Sequence, residues 1–165
     1  MDRTELQALQ APLKEQYRAE PARAIVTLRA EGILGSEGVS CSVDTGRALV
    51  EAGLHPATGG TGIQACSGDM LLEALVACAG VTLRAVATSL EIPVSGTVRA
   101  EGDLDFRGTL GVDRDAPVGF TAIRLSFDLE HDASEEQLER LLRLTERYCV
   151  VFQTLTAGVR VDVRF

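Results

Sequence analysis

The sequence SGDMLLEALVACAG, residues 67–80, decides how this chain folds. Ser67 is a residue type that favours the N-cap of a helix, and Pro93 stops a helix that begins there from continuing much beyond Leu90. Apolar residues cover most of the circumference of that helix, a pattern typical of helices that are buried on several sides. We therefore predict a central buried helix from Ser67 to about Leu90.

A second helix is predicted from Ser134 onward, where Ser134 and Gln137 have the spacing of a capping box. Its apolar face follows at intervals of three and four residues. The members of that face are Leu138, Leu141, Leu142, Thr145, Tyr148, Cys149, Phe152 and Leu155. This pattern places Cys149 toward the core. Because Val150 can continue a helix, nothing in the sequence enforces a helix break after Cys149 as a proline would.

Alternation of apolar and polar residues predicts the strands. We expect strands around 98–107 and 123–130, further strands at 24–31, 38–44 and 159–165, a turn around Gly32, Gly35 and Gly38, and a loop at 55–62. Groups of strands with helices between the groups are typical of an α+β fold with mostly antiparallel sheets. That is the fold class that the sequence predicts.

The size and charge of the chain limit its functions. Its 165 residues fit an N-terminal helical extension, 1–22, and one domain, 23–165. The net charge of −8 disfavours nucleic acid and anionic membranes as partners. The apolar run from Met70 to Leu83 is interrupted by Glu73 and is shorter than the roughly 18 residues that span a bilayer. Since the N-terminal sequence also lacks the features of a secretory signal, we expect a cytoplasmic protein.

The candidate reactive residues are the four cysteines, Cys41, Cys66, Cys78 and Cys149. In a cytoplasmic chain such residues are more often reactive, metal-binding or simply packed than joined in permanent disulfides. No two of them form a CxxC-like pair, so we expect no zinc site. Simple packing is the ordinary role of a cysteine. We expect it for Cys41 and Cys66, although Cys66 stands close enough to the helix start to be an alternative resolving thiol.

Four features follow one another in a characteristic order. They are the loop Gly59-Gly60-Thr61-Gly62, Asp69 before Leu71-Leu72, the sequence ALVAC ending at Cys78, and Tyr148-Cys149. In this order they resemble the OsmC/Ohr family, the osmotically inducible and organic hydroperoxide resistance proteins, over roughly 24–165. The resemblance implies an intertwined homodimer with two active sites at the subunit interface. We expect no cofactor.

The same resemblance implies a cysteine-based peroxidase for organic hydroperoxides. Cys78 would attack the peroxide, and Cys149 would resolve the resulting sulfenic acid as a disulfide. The family also holds an arginine beside the thiolate with an acidic residue, usually Glu. Asp69 occupies that acidic position, and Arg29 is the nearest match for the arginine, with Arg47 as a second candidate. The implied reductant is a dithiol such as the lipoyl group of a partner protein.

Cysteine chemistry sets the requirements for this activity. A free thiol is mostly protonated at neutral pH, so the anion of Cys78 needs stabilisation, for instance by an arginine held by Asp69. The apolar helix around Cys78 would favour an alkyl hydroperoxide over hydrogen peroxide, because burying an organic tail gains roughly 25 cal/mol per Å². The alternative is a dimeric binding module for a small apolar ligand in which the cysteines only pack.

Overall fold

The computed structural model describes residues 2–5, 7–8, 10–11, 19, 31–34, 40–44, 49–111 and 113–165. Apart from the N-terminal segment, these residues contain six strands and four helices, in an order that alternates groups of strands with helices. In chain order they are β1 (Glu31–Leu34), β2 (Ser40–Asp44), β3 (Leu49–Gly53), β4 (Ala65–Cys66), α1 (Ser67–Leu90), β5 (Val94–Leu104), α2 (Phe106–Thr109), β6 (Phe120–His131), α3 (Glu135–Tyr148) and α4 (Val150–Ala157). The predicted α+β class is confirmed.

The chain divides into two compact units, which are described separately. The first contains Met1–Val26, Ala74–Arg99 and Ser126–Phe165, and the second contains Thr27–Glu73 and Ala100–Leu125. The second unit holds a four-stranded sheet in the order β1-β2-β3-β4. Its first three strands are antiparallel, with Leu34 opposite Cys41, while β3 and β4 are parallel, with Gly53 opposite Cys66.

The helix α1 confirms the bounds predicted for it but is buried along one stripe only. Leu75, Ala79, Leu83 and Ala87 are its buried residues, and they recur every four residues. Val81, on another face, is 73% exposed. By length and composition alone α1 is apolar enough to cross a membrane, a test that the core helix of a soluble protein also passes. The expectation of burial on several sides is therefore not met within one chain.

The core of the first unit forms where α1 meets β5 and α3. Its buried residues are Leu83, Ala87, Ile92, Val94 and Leu141. The start of α3 is fixed by the predicted capping box, in which the Ser134 hydroxyl and the Gln137 side chain each pair with the other residue's backbone amide. The prediction that α3 points its apolar face inward is confirmed at Leu141 and wrong at Tyr148, which is more than half exposed.

The strands β5 and β6 pair as a separate two-stranded sheet. Side-chain pairs Ser95 with Glu130 and Arg99 with Asp128 run in opposite order along the two strands, so the strands are antiparallel. Gly96 has φ +126°, and a Cβ there would lie 2.1 Å from the Asp128 carbonyl oxygen, so only glycine fits this close approach. The strands predicted around 98–107 and 123–130 are confirmed, with shifted ends.

One predicted strand end changes for a local reason, and one predicted turn is wrong. The first of these strands ends at Leu104, because the Asp105 carboxylate accepts from the Arg107 amide at 3.0 Å and starts the single turn α2. Gly32 lies within β1, so the turn predicted there is wrong. The strand predicted at 38–44 is confirmed from Ser40. Residues 24–30, Gly35 and Gly38 lie outside the described residues.

The strand predicted at 159–165 is wrong. These residues have no regular secondary structure, and Val159, Val161, Val163 and Phe165 are all more than half exposed. Alternation of apolar residues becomes a strand only beside a pairing partner, and among the described residues no strand pairs with this segment. By contrast, the predicted loop at 55–62 is confirmed, with one 3-10 turn at Pro56–Thr58.

The N-terminal segment is helical at the described residues 3–5, 7–8, 10–11 and 19. The Arg3 guanidinium pairs with the Glu91 carboxylate at the end of α1, with 2.7 Å between nitrogen and oxygen. Both side chains are largely exposed, so this ion pair contributes at most about 1 kcal/mol. The division of the chain at residue 22 stays a prediction.

Candidate active site

The candidate site begins at a break between two helices. α3 ends at Tyr148 and α4 begins at Val150, and Cys149 between them has an extended backbone with φ −73° and ψ 107°. The Cys149 amide still donates to the Thr145 carbonyl, and the Cys149 carbonyl accepts from the Gln153 amide, both over 2.9 Å. The break therefore leaves the backbone of Cys149 fully paired. A break occurs here without a proline, contrary to what the flanking valines suggest.

A side chain replaces the backbone hydrogen bond that the break removes. In a continuous helix the carbonyl of Glu146 would accept from the amide of Val150, four residues later. Here it accepts from the Nε2 amide of Gln153 over 2.9 Å. The last turn of α3 is thus satisfied from α4, and the Val150 amide is released to point elsewhere.

The released amides at the start of α4 interact with Cys78. This residue lies in α1 and is half-buried, whereas Cys149 is 1% exposed. The backbone amides of Val151 and Val150 and the side chain of Cys149 lie close enough to Cys78 to influence its pKa. The structure therefore brings together the two cysteines that the sequence analysis singled out.

The pKa of the Cys78 thiol lies below its ordinary value. Burial raises it, but hydrogen bonds from the Val151 amide, the Cys149 thiol, the Val150 amide and the Thr82 hydroxyl together outweigh burial. Each of these donors favours the anion, because a thiolate accepts hydrogen bonds better than a thiol does. Amides at a helix N-terminus also carry a partial positive charge that favours a nearby anion.

The pKa of Cys149 moves in the opposite direction. Burial has the largest effect and raises it, and a hydrogen bond from the Phe152 amide has the next largest effect and lowers it. The hydrogen bond to Cys78 and the charge of that sulfur raise it further, against the smallest effect, that of the Val151 amide. The pair consequently consists of one thiol that ionises more readily than usual and one that ionises less readily. Such a pair can supply a nucleophile and a second thiol that stays protonated until the first has reacted.

Thr82 is a site residue that the sequence analysis missed. Its hydroxyl hydrogen-bonds to the side chain of Cys78 and lowers the pKa of that thiol. Thr82 stands four residues after Cys78 on the same helix, a spacing at which side chains on one helix contact each other. That spacing was the available signal.

The other predicted site residues are placed differently. Asp69 is exposed in the first turn of α1 and lines a cavity of about 360 Å³ in the second unit, together with Cys66 and His55. The His55 ring stacks on Phe106 with 4.9 Å between ring centroids. Arg29 and Arg47 lie outside the described residues, as does the side chain of Cys41. Among the described side chains, no group of three metal-ligating residues could hold an ion.

This chain resembles known proteins both in sequence and in structure. The model of the OsmC-like protein family matches residues 60–164. None of the curated proteins matches this chain.

Several solved structures resemble the chain, among them the following three. The OsmC-like protein of Mycoplasma pneumoniae is 16% identical with a TM-score of 0.65, over 84% of this chain and 95% of that one. The organic hydroperoxide resistance protein OsmC of Legionella pneumophila is 16% identical with a TM-score of 0.59, over 84% and 95%. An organic hydroperoxide resistance protein of Elizabethkingia anophelis is 18% identical with a TM-score of 0.57, over 79% and 89%. At these identities the likeness shows the fold.

Proposed function

Because this chain belongs to the OsmC-like protein family, we propose that it is a thiol-dependent peroxidase that reduces organic hydroperoxides. The observation that supports this most is the contact between Cys78 and Cys149, whose pKa values move in opposite directions. A peroxidase with two cysteines needs this division between an attacking thiolate and a resolving thiol.

Cys78 is the proposed nucleophile. Its sulfur electron pair forms a bond to the outer oxygen of the hydroperoxide, the O–O bond breaks, and the alkoxide leaves and takes a proton to become the alcohol. Cys78 is thereby oxidised to the sulfenic acid. The Val150 and Val151 amides, the Thr82 hydroxyl and the Cys149 thiol hold the thiolate for this attack. Asp69 and Arg29, or Arg47 in its place, are proposed to supply the acidic residue and the arginine that the family resemblance implies.

Cys149 is the proposed resolving residue. Its thiol loses a proton and attacks the Cys78 sulfur, so that an S–S bond forms, the S–O bond breaks and water leaves. The two side chains already hydrogen-bond to each other, so this step needs no large movement. A dithiol, for which we propose a lipoyl group on a partner protein, then reduces the disulfide and restores both thiols. This cycle fits the reducing cytoplasm that we propose as the location.

An organic substrate is favoured by the surroundings of Cys78. The two residues whose amides hold its sulfur, Val150 and Val151, carry apolar side chains, and Val150 is 69% exposed. An exposed apolar side chain beside the nucleophile gains from contact with an alkyl tail, at roughly 25 cal/mol per Å² buried. Hydrogen peroxide has no such tail.

A homodimer is proposed because one copy leaves apolar surface uncovered. Val81 on α1 and the apolar residues of the segment 159–165 are more than half exposed. Larger apolar patches of this kind mark interaction sites in soluble proteins. A second copy that covers α1 and pairs with the C-terminal segment would bury them, in agreement with the family resemblance.

Steady-state turnover tests the proposal. We expect rapid reduction of cumene hydroperoxide and tert-butyl hydroperoxide with dihydrolipoamide, lost in Cys78→Ser and in Cys149→Ser. Cys66→Ser is the matched control, because Cys66 is a free, half-buried cysteine in the other unit. Slow turnover that neither Cys78→Ser nor Cys149→Ser changes would contradict the proposal and favour an apolar binding module.

A further inference from the structure

The glycine in the middle of α1 has open space beside it. Gly80 lies far from both ends of the helix, where glycine is less favourable than alanine. Apart from its own helix, the described atom nearest to a Cβ built at Gly80 is Val98 Cγ2, 3.9 Å away, so an alanine would fit. Gly96 differs, because a side chain there would collide with the Asp128 carbonyl. No contact among the described residues therefore requires glycine at position 80.

The space beside Gly80 is part of a cavity between α1 and the strands β5 and β6, within the first unit. Its volume is about 390 Å³, which lies in the range of roughly 300–1,000 Å³ that small-molecule sites occupy. Leu83 and Val94 on its wall are buried core residues, and Leu129 packs against that core. Because protein cores are closely packed, this apolar wall is in place before any ligand arrives.

Among the described residues that line this cavity, Arg84 is the only charged one. Its Nη1 donates to the Val94 carbonyl over 2.7 Å, which holds the guanidinium at the start of β5. Two carboxylates share a neighbouring hollow with Arg84. That of Asp2 accepts a backbone amide of the N-terminal segment, and that of Glu91 pairs with Arg3. Since a guanidinium has five N–H donors, Arg84 keeps donors for an anion at the cavity.

We propose that this cavity binds a fatty acid, whose carboxylate pairs with the Arg84 guanidinium and whose alkyl chain lies beside Gly80 on the apolar wall. A planar guanidinium binds a carboxylate through two parallel hydrogen bonds. Burial of the alkyl chain is favourable in proportion to the apolar area removed from water. The net charge of −8 repels anions from the chain as a whole, so a fatty acid needs a specific cation such as Arg84.

The fatty acid site is separate from the cysteine pair. Gly80 follows Cys78 by two residues, which turns the two positions about 200° apart around α1. Neither Cys78 nor Cys149 lines the cavity. The fatty acid therefore binds on a different side of α1 from the proposed nucleophile, and this inference does not rest on the proposed peroxidase activity.

The test is isothermal titration calorimetry of the full chain with octanoate, below the concentration at which octanoate forms micelles. Arg84→Gln should weaken binding by about tenfold or more, since hydrogen bonds between charged groups contribute at least that much. Octanol has the same tail without the carboxylate, so it should bind the wild type more weakly and Arg84→Gln no differently from the wild type. Arg143→Gln is the matched control, because Arg143 is exposed on α3 and does not line the cavity.

Two further variants fill the cavity at Gly80. Gly80→Leu should abolish octanoate binding, because its side chain occupies the space of the alkyl chain. Gly80→Ala should weaken binding while the protein withstands more urea than the wild type, because alanine favours the helix and Val98 leaves room for it. Urea unfolding of every variant shows whether the fold is retained. Unchanged affinity in both Gly80 variants would overturn the inference.

Three other results would also overturn it. The first is a wild type that does not bind octanoate, and the second is an equal loss of affinity in Arg84→Gln and Arg143→Gln. The third identifies a second copy of the chain as the occupant of the cavity. In that case light scattering would show a dimeric wild type that takes up no octanoate and that Gly80→Leu dissociates.

Discussion

The thiol of Cys149 donates a hydrogen bond to the sulfur of Cys78, and this contact joins the centre of α1 to the break between α3 and α4. The donor keeps its proton because burial and the neighbouring charge both raise its pKa. The acceptor loses its proton more readily because it also receives the amides of Val150 and Val151. The order in which the two sulfurs react is therefore determined before any peroxide arrives.

The first prediction concerns pH. The folded chain lowers the pKa of Cys78, so its thiolate forms at a lower pH than that of an ordinary free thiol, and its alkylation should reach half-maximum below the ordinary pKa of a free thiol. The pKa of Cys149 is raised, so its alkylation should reach half-maximum above the same value. Rates for the two peptides, measured by mass spectrometry across pH, give both midpoints. A common midpoint for Cys78 and Cys149 would show that their contact does not make Cys78 more acidic than Cys149.

The second prediction concerns resolution. In Cys149→Ser the first oxidation of Cys78 should still occur, but the sulfenic acid should persist and be trapped by dimedone, and excess peroxide should carry it on to the sulfinic acid. Intact mass after stepwise addition of cumene hydroperoxide follows each stage. The wild type should form a disulfide and resist this overoxidation. A disulfide between Cys78 and Cys66 in the variant would contradict the assignment and make Cys66 the resolving thiol.

The inward position of Cys149 was predictable from the sequence, whereas the helix break at this residue was not. Cys149 could be placed inward because helical periodicity is a local property that the fold preserves. The break at Cys149 could not be predicted, because it depends on the Gln153 side chain replacing a backbone amide at Glu146. The helix propensities of Val150 and Val151 do not predict this change of hydrogen-bond partner, because it depends on the folded geometry.

The strands also differ in whether the sequence predicted them correctly. Those around 98–107 and 123–130 were predictable because each one pairs with the other in the same chain, so that alternation and hydrogen bonding agree. The segment 159–165 alternates just as regularly but is not a strand. Alternation reports which faces of a segment are apolar, whereas pairing depends on an edge that another part of the structure must provide.

The third prediction concerns Gln153. In Gln153→Met the side chain keeps its length but loses the donor to the Glu146 carbonyl, so the protein should lose about 1 kcal/mol of unfolding free energy. The start of α4 should also move relative to Cys78, and the midpoint of Cys78 alkylation should rise. Urea unfolding and the alkylation profile measure the two effects. Thr154→Val, at the adjacent exposed position, is the control and should change neither. A Gln153→Met variant that is less stable but has an unchanged midpoint of Cys78 alkylation would contradict this prediction. That result would show that the hydrogen bond from Gln153 to the Glu146 carbonyl does not position the amides at the start of α4.

The fourth prediction concerns assembly. Val81 is 73% exposed on α1, and in the proposed dimer it is buried against the second copy. Val81→Glu places a carboxylate in that interface, and burying an unpaired charge costs several kcal/mol, so the dimer should dissociate. Glutamate is a good helix former, which keeps α1 itself intact. Size-exclusion chromatography with light scattering gives the mass in solution.

Val118→Glu is the matched control for this measurement. Val118 is 64% exposed but lies between α2 and β6 in the second unit, and it is not part of the proposed interface, so this variant should remain dimeric. A monomeric wild type, or a Val81→Glu variant that stays dimeric, would contradict the proposed interface. Dissociation confined to Val81→Glu would instead show that the exposed apolar face of the cysteine helix holds the two copies together. Hydroperoxide turnover by the dissociated chain would then show whether the contacts that Cys78 receives within one chain suffice for catalysis.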